Sequence, residues 1–242
     1  MSPGCGKMDA VRVVLRAYTA SFRVPGFYGY QLTLPVPPLA TVYGIIAAAV
    51  GRWVSPSDVE WLAYACDYQS KGKDLEAIYQ FERKDEKSVP VLKPYPKSRT
   101  VIEREFLFMP SLTLYLPPEW EAAFLRPRYP LLLGRSQDVA TVESLKLVKL
   151  EFPDEGQVKG VILPIELVSD QGNRVKAWLQ NLPLALTGEP YRRLLGMRIF
   201  GIVDAQGGSS LIRTRNWLIR DSNDGRVVPI YRREWVAWYS IH

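Results

Sequence analysis

Cationic and aromatic side chains recur together in three stretches of this 242-residue chain, and the chemistry they suit is contact with a single-stranded polyanion. Between Phe22 and Gln31, Arg23 stands among Phe22, Phe27, Tyr28 and Tyr30. The rings suit base stacking and the guanidinium suits a phosphate; the other use of the same rings is to staple the loop over a sheet edge. In Lys93-Pro-Tyr95-Pro-Lys97-Ser-Arg99 an aromatic sits between cations, on a backbone that two prolines hold extended. In Leu133-Gly-Arg-Ser-Gln-Asp138, Gly134 allows close backbone approach and Arg135 offers a planar fork for phosphate or a base edge. Ser136 and Gln137 can donate to the same ligand, with a plain turn as the alternative. Acid–base chemistry has little to work with: the only histidine is His242, the last residue, and no HExxH, GxSxG or paired-cysteine site is present.

The balance of charge agrees with an anionic partner. A formal net charge of +6 and a pI near 9.3 are concentrated in three acid-poor stretches, 87–102, 123–137 and 192–220. With 47% hydrophobic residues there is ample material for a packed core. Two cysteines, Cys5 and Cys66, make neither a zinc cluster nor a disulfide framework, so no cofactor is expected and a reducing cytoplasm is. The apolar runs are too short to span a membrane.

The elements that must position these residues start with a strand from about Asp9 to Tyr18. Pro37 and Pro38 then hold the chain extended until a helix opens near Leu39, with apolar residues at spacings of three and four up to Val50 and a stop at Gly51. That abrupt start presents unpaired N–H groups beside Thr41 and Tyr43. Val59 to Cys66 fits a short helix or a strand, residues 67–106 form a long polar excursion, and Arg104 to Leu116 alternates like a strand. Pro117 to Leu125 reads as a second helix and Tyr129 to Leu133 as a closing strand. The order β-α-β-β-α-β is that of a ferredoxin-like, RRM-like α+β domain over 8–138. Residues 139–242 read as a smaller, mainly β region with strands at Val142 to Phe152, Val158 to Leu167, Met197 to Val203, Leu211 to Ile219 and Val227 to Tyr239. Ser222-Asn-Asp-Gly225 suits the last hairpin turn, and Trp217, Trp235, Trp238 and Tyr239 read as core or subunit contacts.

The first strand followed by Ser21-Phe22-Arg23, the Pro-Pro-x-x-Thr-x-x-Gly helix start at Pro37 to Gly44, and the 133–138 tip together resemble a known family. It is the Cas family numbered five, of the RAMP superfamily: the subunit of type I CRISPR surveillance complexes (Cascade) that caps the 5′ handle of the guide RNA (crRNA). The resemblance covers roughly residues 8–150. It implies a β-hairpin thumb inserted at about 67–106 and a crRNA-binding set of Arg16, Ser21, Phe22, Arg23, Thr41, Tyr43, Lys93, Tyr95, Lys97, Arg99, Gly134, Arg135, Ser136 and Gln137. The partners it implies are the crRNA 5′ handle, the Cascade backbone subunit and the large subunit, with target DNA reached indirectly. Some relatives cleave repeat RNA without metal through Tyr, Lys and His. Here Tyr28 or Tyr43 with Lys93 or Lys97 imitates part of that set without a matching histidine, so a non-catalytic subunit is expected and a metal-independent endoribonuclease is the alternative. A protein-interaction module without an RNA role is a third class, distinguishable by the salt dependence of binding.

Overall fold

The computed structural model describes residues 7–26, 29–94, 96–188 and 191–241, with side chains up to residue 238 in the last of these. In chain order the main elements are β1 (Met8–Ala17), α1 (Leu39–Val50), β2 (Trp61–Asp67), β3 (Ser70–Tyr79), β4 (Arg99–Phe108), β5 (Ser111–Leu116), α2 (Glu121–Leu125) and β6 (Val139–Glu151). They continue with β7 (Glu155–Val158), β8 (Val161–Pro164), α3 (Ile165–Ser169), β9 (Trp178–Leu186), β10 (Leu194–Val203), β11 (Ser210–Arg213), β12 (Leu218–Asp221), β13 (Val227–Arg232) and α4 (Arg233–Ile241).

The architecture corrects the ferredoxin-like α+β expectation: the chain is mostly β, built on a closed six-stranded antiparallel barrel in the order β1-β5-β2-β13-β12-β6 and back to β1. The expected closing strand near Tyr129 to Leu133 is only Leu131–Leu132, lying outside β6. The place beside β1 goes to β6, which pairs with it from Ala17↔Ala140 to Met8↔Leu150. The far end of β6 then pairs Leu150 and Glu151 with Asp221 and Arg220 of β12, while Ile230 of β13 pairs with Ala63 of β2. The β12–β13 hairpin therefore spans both edges that an open sheet would have left unpaired. Arg12 secures the closure, donating from Nη1 to Asp221 at 2.9 Å and to Asp224 at 2.8 Å.

Barrel closure explains why Val59 to Cys66 was ambiguous between helix and strand. Alternate residues of β2 enter two different cores: Leu62, Tyr64 and Cys66 pack in the cluster that contains α1, while Ala63 and Ala65 join one drawn from all six barrel strands. A strand buried on both faces has no polar alternation to betray it.

Helix α1 forms as its sequence dictates. Pro38 is extended at the N-cap, and Gly51 ends the helix at φ +77° with its N–H bonded to Ala47 O at 2.9 Å. Its apolar side, including Leu39, Val42, Ile45 and Ile46, is buried in the same cluster as Leu182 and Leu184 of β9. β9 belongs to a separate antiparallel sheet of order β8-β10-β9.

Three further expectations change, the first being Val158 to Leu167, which divides among β7, β8 and α3. The run Val227 to Tyr239 is not one strand: β13 ends at Arg232 and α4 follows, with Val236 buried in the core and Trp235 packed against it. Trp235 meets the ring of Trp217 edge-on at 5.5 Å and that of Phe200 at 6.1 Å, whereas Trp238 is exposed; the Tyr239 side chain lies outside the described residues. Leu211 to Ile219 likewise divides into β11 and β12, with Asn216 at φ +64° between them.

β3 and β4 pair in register from Phe108↔Ser70 to Arg99↔Tyr79, forming a ribbon whose ten-residue strands reach about 30 Å from its base. Leu75, Tyr79 and Val101 are exposed along it.

Candidate nucleic-acid interface

Two stretches more than a hundred residues apart meet at one end of the barrel. Phe22–Arg23 pairs with Thr33–Leu34, and the Ser21 N–H donates to Leu133 O at 3.2 Å. The Ser21 hydroxyl donates to Glu105 O at 2.9 Å, which ties this loop to the base of the ribbon. Gly134 then packs so tightly that a Cβ there would lie 2.1 Å from Ser21 O, and it adopts φ +114°. Only glycine fits on both counts.

The tip that follows is closed on itself. Leu133 N–H donates to Asp138 O at 2.8 Å and Asp138 N–H to Arg135 O at 3.0 Å. The Asp138 side chain is fully buried, and it accepts the Arg135 backbone N–H and Nε–H at 3.0 Å each, Nη2 at 2.9 Å and the Thr19 hydroxyl at 2.6 Å. Those bonds hold the Arg135 guanidinium even more firmly charged than usual. Arg135 is thus committed to the tip itself, with its side chain 10% exposed and facing the Phe106 ring. Ser136 and Gln137 remain exposed.

The expected site residues divide accordingly. Ser21, Arg23, Gly134, Arg135, Ser136 and Gln137 converge at this junction, and Arg23 is exposed. Thr41 is half-buried and lines the same cleft as Gly134. Phe22 and Tyr43 are 2% and 4% exposed and belong to the core, so neither ring presents a face to a ligand. Burial also pushes the Tyr43 hydroxyl well above the usual tyrosine range. Arg16 is exposed and paired with Glu143 at 3.1 Å. Lys93 donates to Gln80 Oε1 at 3.3 Å, and with Lys97 and Arg99 it sits toward the far end of the ribbon, away from the tip. Tyr95, Phe27, Tyr28 and His242 lie outside the described residues.

Sequence reasoning missed a cleft of about 760 Å³ beside α1, walled by Tyr129 and Pro130 on one side and by Pro183, Leu186 and Arg192 on the other. Its signal was the run of small residues in α1, which reads equally well as tight packing against a sheet. Among the described residues no group of His, Cys, Asp and Glu could hold a metal ion, and no helix is long and apolar enough to cross a membrane.

No family model matches the chain, and no curated protein matches it. Solved structures do. A CRISPR protein from Archaeoglobus fulgidus is 14% identical over 93% of this chain and 100% of its own, with a TM-score of 0.52. A chain of the Type III-B Cmr-beta bound to cognate target RNA and AMPPnP is 10% identical over 84% of this chain and 86% of its own, with a TM-score of 0.53. At such identities the likeness is one of architecture: over most of its length the chain shares the fold of CRISPR-associated proteins.

Proposed function

We propose that this chain is a guide-RNA-binding subunit of a CRISPR effector complex, and that it caps the crRNA 5′ handle in a type I Cascade assembly without cutting it. The observation that carries this reading is the junction of the Ser21–Arg23 loop with the Gly134–Gln137 tip. It places an exposed arginine beside a rigid, glycine-led tip with two exposed polar side chains, on a fold shared with a chain of the Type III-B Cmr-beta, which is bound to cognate target RNA. Arg23 contacts phosphate, Ser136 and Gln137 contact base or sugar, and Arg135 keeps the tip in shape. The ribbon, with Leu75, Tyr79 and Val101 exposed, seats the first backbone subunit, and the large subunit docks alongside, so that target DNA is engaged only through the assembly.

Metal-independent cleavage of repeat RNA is the second reading. Against it stands the buried Tyr43, whose hydroxyl is held protonated and which lies in the core while Lys93 and Lys97 sit on the ribbon. Fluorescence anisotropy with repeat-derived handle RNA and a scrambled RNA, over a salt series, tests the proposal. Tighter binding of the handle, weakening steeply with salt, is expected. Equal affinity for the scrambled strand overturns the capping role, and site-specific cleavage in EDTA overturns the non-catalytic one.

A further inference from the structure

The cleft beside α1 has a floor made by Ala40, Gly44 and Ala48, which stand four apart and so form one line along the helix. Gly44 has no reason in the fold. A Cβ added to it meets nothing within 4 Å, its backbone is ordinary helix, and glycine is less favourable than alanine in a helix interior. Among the described residues no neighbour needs the space above it, but a ligand lying flat on the helix would.

The walls indicate which ligand. Trp53 lines the cleft, with the Arg192 guanidinium 5.5 Å from its ring centre. Tyr129 is 58% exposed at the opposite wall. The Arg128 side chain lies across Gly51 at the end of the helix. The charged side chains lining the cleft are Arg52 and Arg192; Arg52 is occupied by Asp58, and no carboxylate lines the cleft among the described residues. A flat apolar floor between aromatic rings, with the Arg192 guanidinium at one wall and no carboxylate against it among the described residues, is complementary to unpaired nucleotides: the bases lie on the floor or a ring and a phosphate faces Arg192. The volume is that of a small-ligand site and excludes a duplex.

We propose that this cleft is a second nucleotide-binding site, which takes the unpaired nucleotides adjoining those held at the tip. Gly134 lines the cleft and also begins the tip, so one strand passes from one to the other without a gap. The inference rests on the reading that the chain binds guide RNA, and it deepens that reading by adding Trp53, Tyr129 and Arg192, none of which the sequence motifs mark.

Gly44→Leu tests it in the full chain, since its side chain enters open space and leaves the fold intact, as an unchanged or raised Tm will show. Handle RNA carrying a photoreactive thiouridine at successive positions is bound to the wild type, to Gly44→Leu and to Arg192→Ala. The expected result is cross-linking of one position to the Trp53 or Tyr129 peptide, lost in Gly44→Leu together with at least tenfold in affinity. Arg192→Ala is expected to lower the slope of log affinity against log salt by about 0.7, the loss of one phosphate contact. Failure of the wild type to bind handle RNA overturns both this inference and the proposed function. Wild-type binding that Gly44→Leu retains in full overturns the second site alone. Retained RNA affinity with loss of complex assembly assigns the cleft to a partner protein instead, and so also overturns it.

Discussion

The carboxylate of Asp138 holds Arg135 by three N–H groups at once, one from the backbone and two from the guanidinium, at a position 1% exposed to solvent. An arginine whose type and setting suggest RNA contact therefore spends its fork inside the protein. Removing one partner of such a buried pair leaves the other charge uncompensated, which costs about 3–5 kcal/mol. Arg135→Ala and Asp138→Ala are each expected to lower stability by that order in chemical denaturation, with the double variant losing less than the sum. Additive losses would mean that the pair does not act as a unit.

The two glycines at the site are expected to respond in opposite directions. Gly134→Ala drives a Cβ against Ser21 O at φ +114°, where neither backbone can give way, and is expected to cost at least about 1–3 kcal/mol. Gly44→Ala removes a helix penalty in open space and is expected to add about 1 kcal/mol. Thermal melting reads both, at about 2–4 °C per kcal/mol for a chain of this size. A destabilised Gly44→Ala would show that the helix needs that glycine for its own packing.

Neighbouring Phe22 and Arg23 separate folding from binding. Phe22→Ala empties a core position and is expected to cost about 3–5 kcal/mol, with no change in the salt dependence of RNA affinity measured on the folded fraction. Arg23→Ala is expected to leave stability within about 0.5 kcal/mol and to reduce the salt slope by about 0.7. An unchanged slope in Arg23→Ala removes that residue from the interface.

Burial holds the Cys66 thiol and the hydroxyls of Tyr43, Tyr64 and Tyr231 protonated far into alkali. The unfolded chain ionises at the ordinary values of 9.0 and 10.0, so above pH 9 it binds fewer protons than the folded one and stability falls as pH rises. Each group contributes about 1.4 kcal/mol per pH unit beyond its unfolded value. Denaturation midpoints at pH 8, 9.5 and 10.5 are expected to fall progressively. Tyr64→Phe, which loses the bond to Pro37 O at 2.9 Å, is expected to cost about 1–3 kcal/mol at pH 7 and to make the alkaline fall shallower. A midpoint independent of pH up to 10.5 contradicts the burial of these groups.

Local chemistry alone determined much of this molecule. The Pro37-Pro38 entry, the three- and four-residue spacing and Gly51 specify α1 almost to the residue, and the turn residues at Ser222 to Gly225 place a hairpin. Acid-poor cationic stretches favour an anionic partner, and the resemblance to a family grouped Ser21, Arg23 and residues 134–137, which the structure brings to one junction. Tertiary structure decided the rest, because each remaining question concerned which distant surface a given pattern would meet. The pattern of β12 and β13 fits a separate sheet as well as a barrel, and only their registers against β6 and β2 close the ring. The rings of Phe22 and Tyr43 are aromatic in either setting, and packing turned them inward. Arg135 reads as a ligand fork until the fold buries Asp138 against it, and Gly44 reads as close packing until the helix leaves the space above it empty.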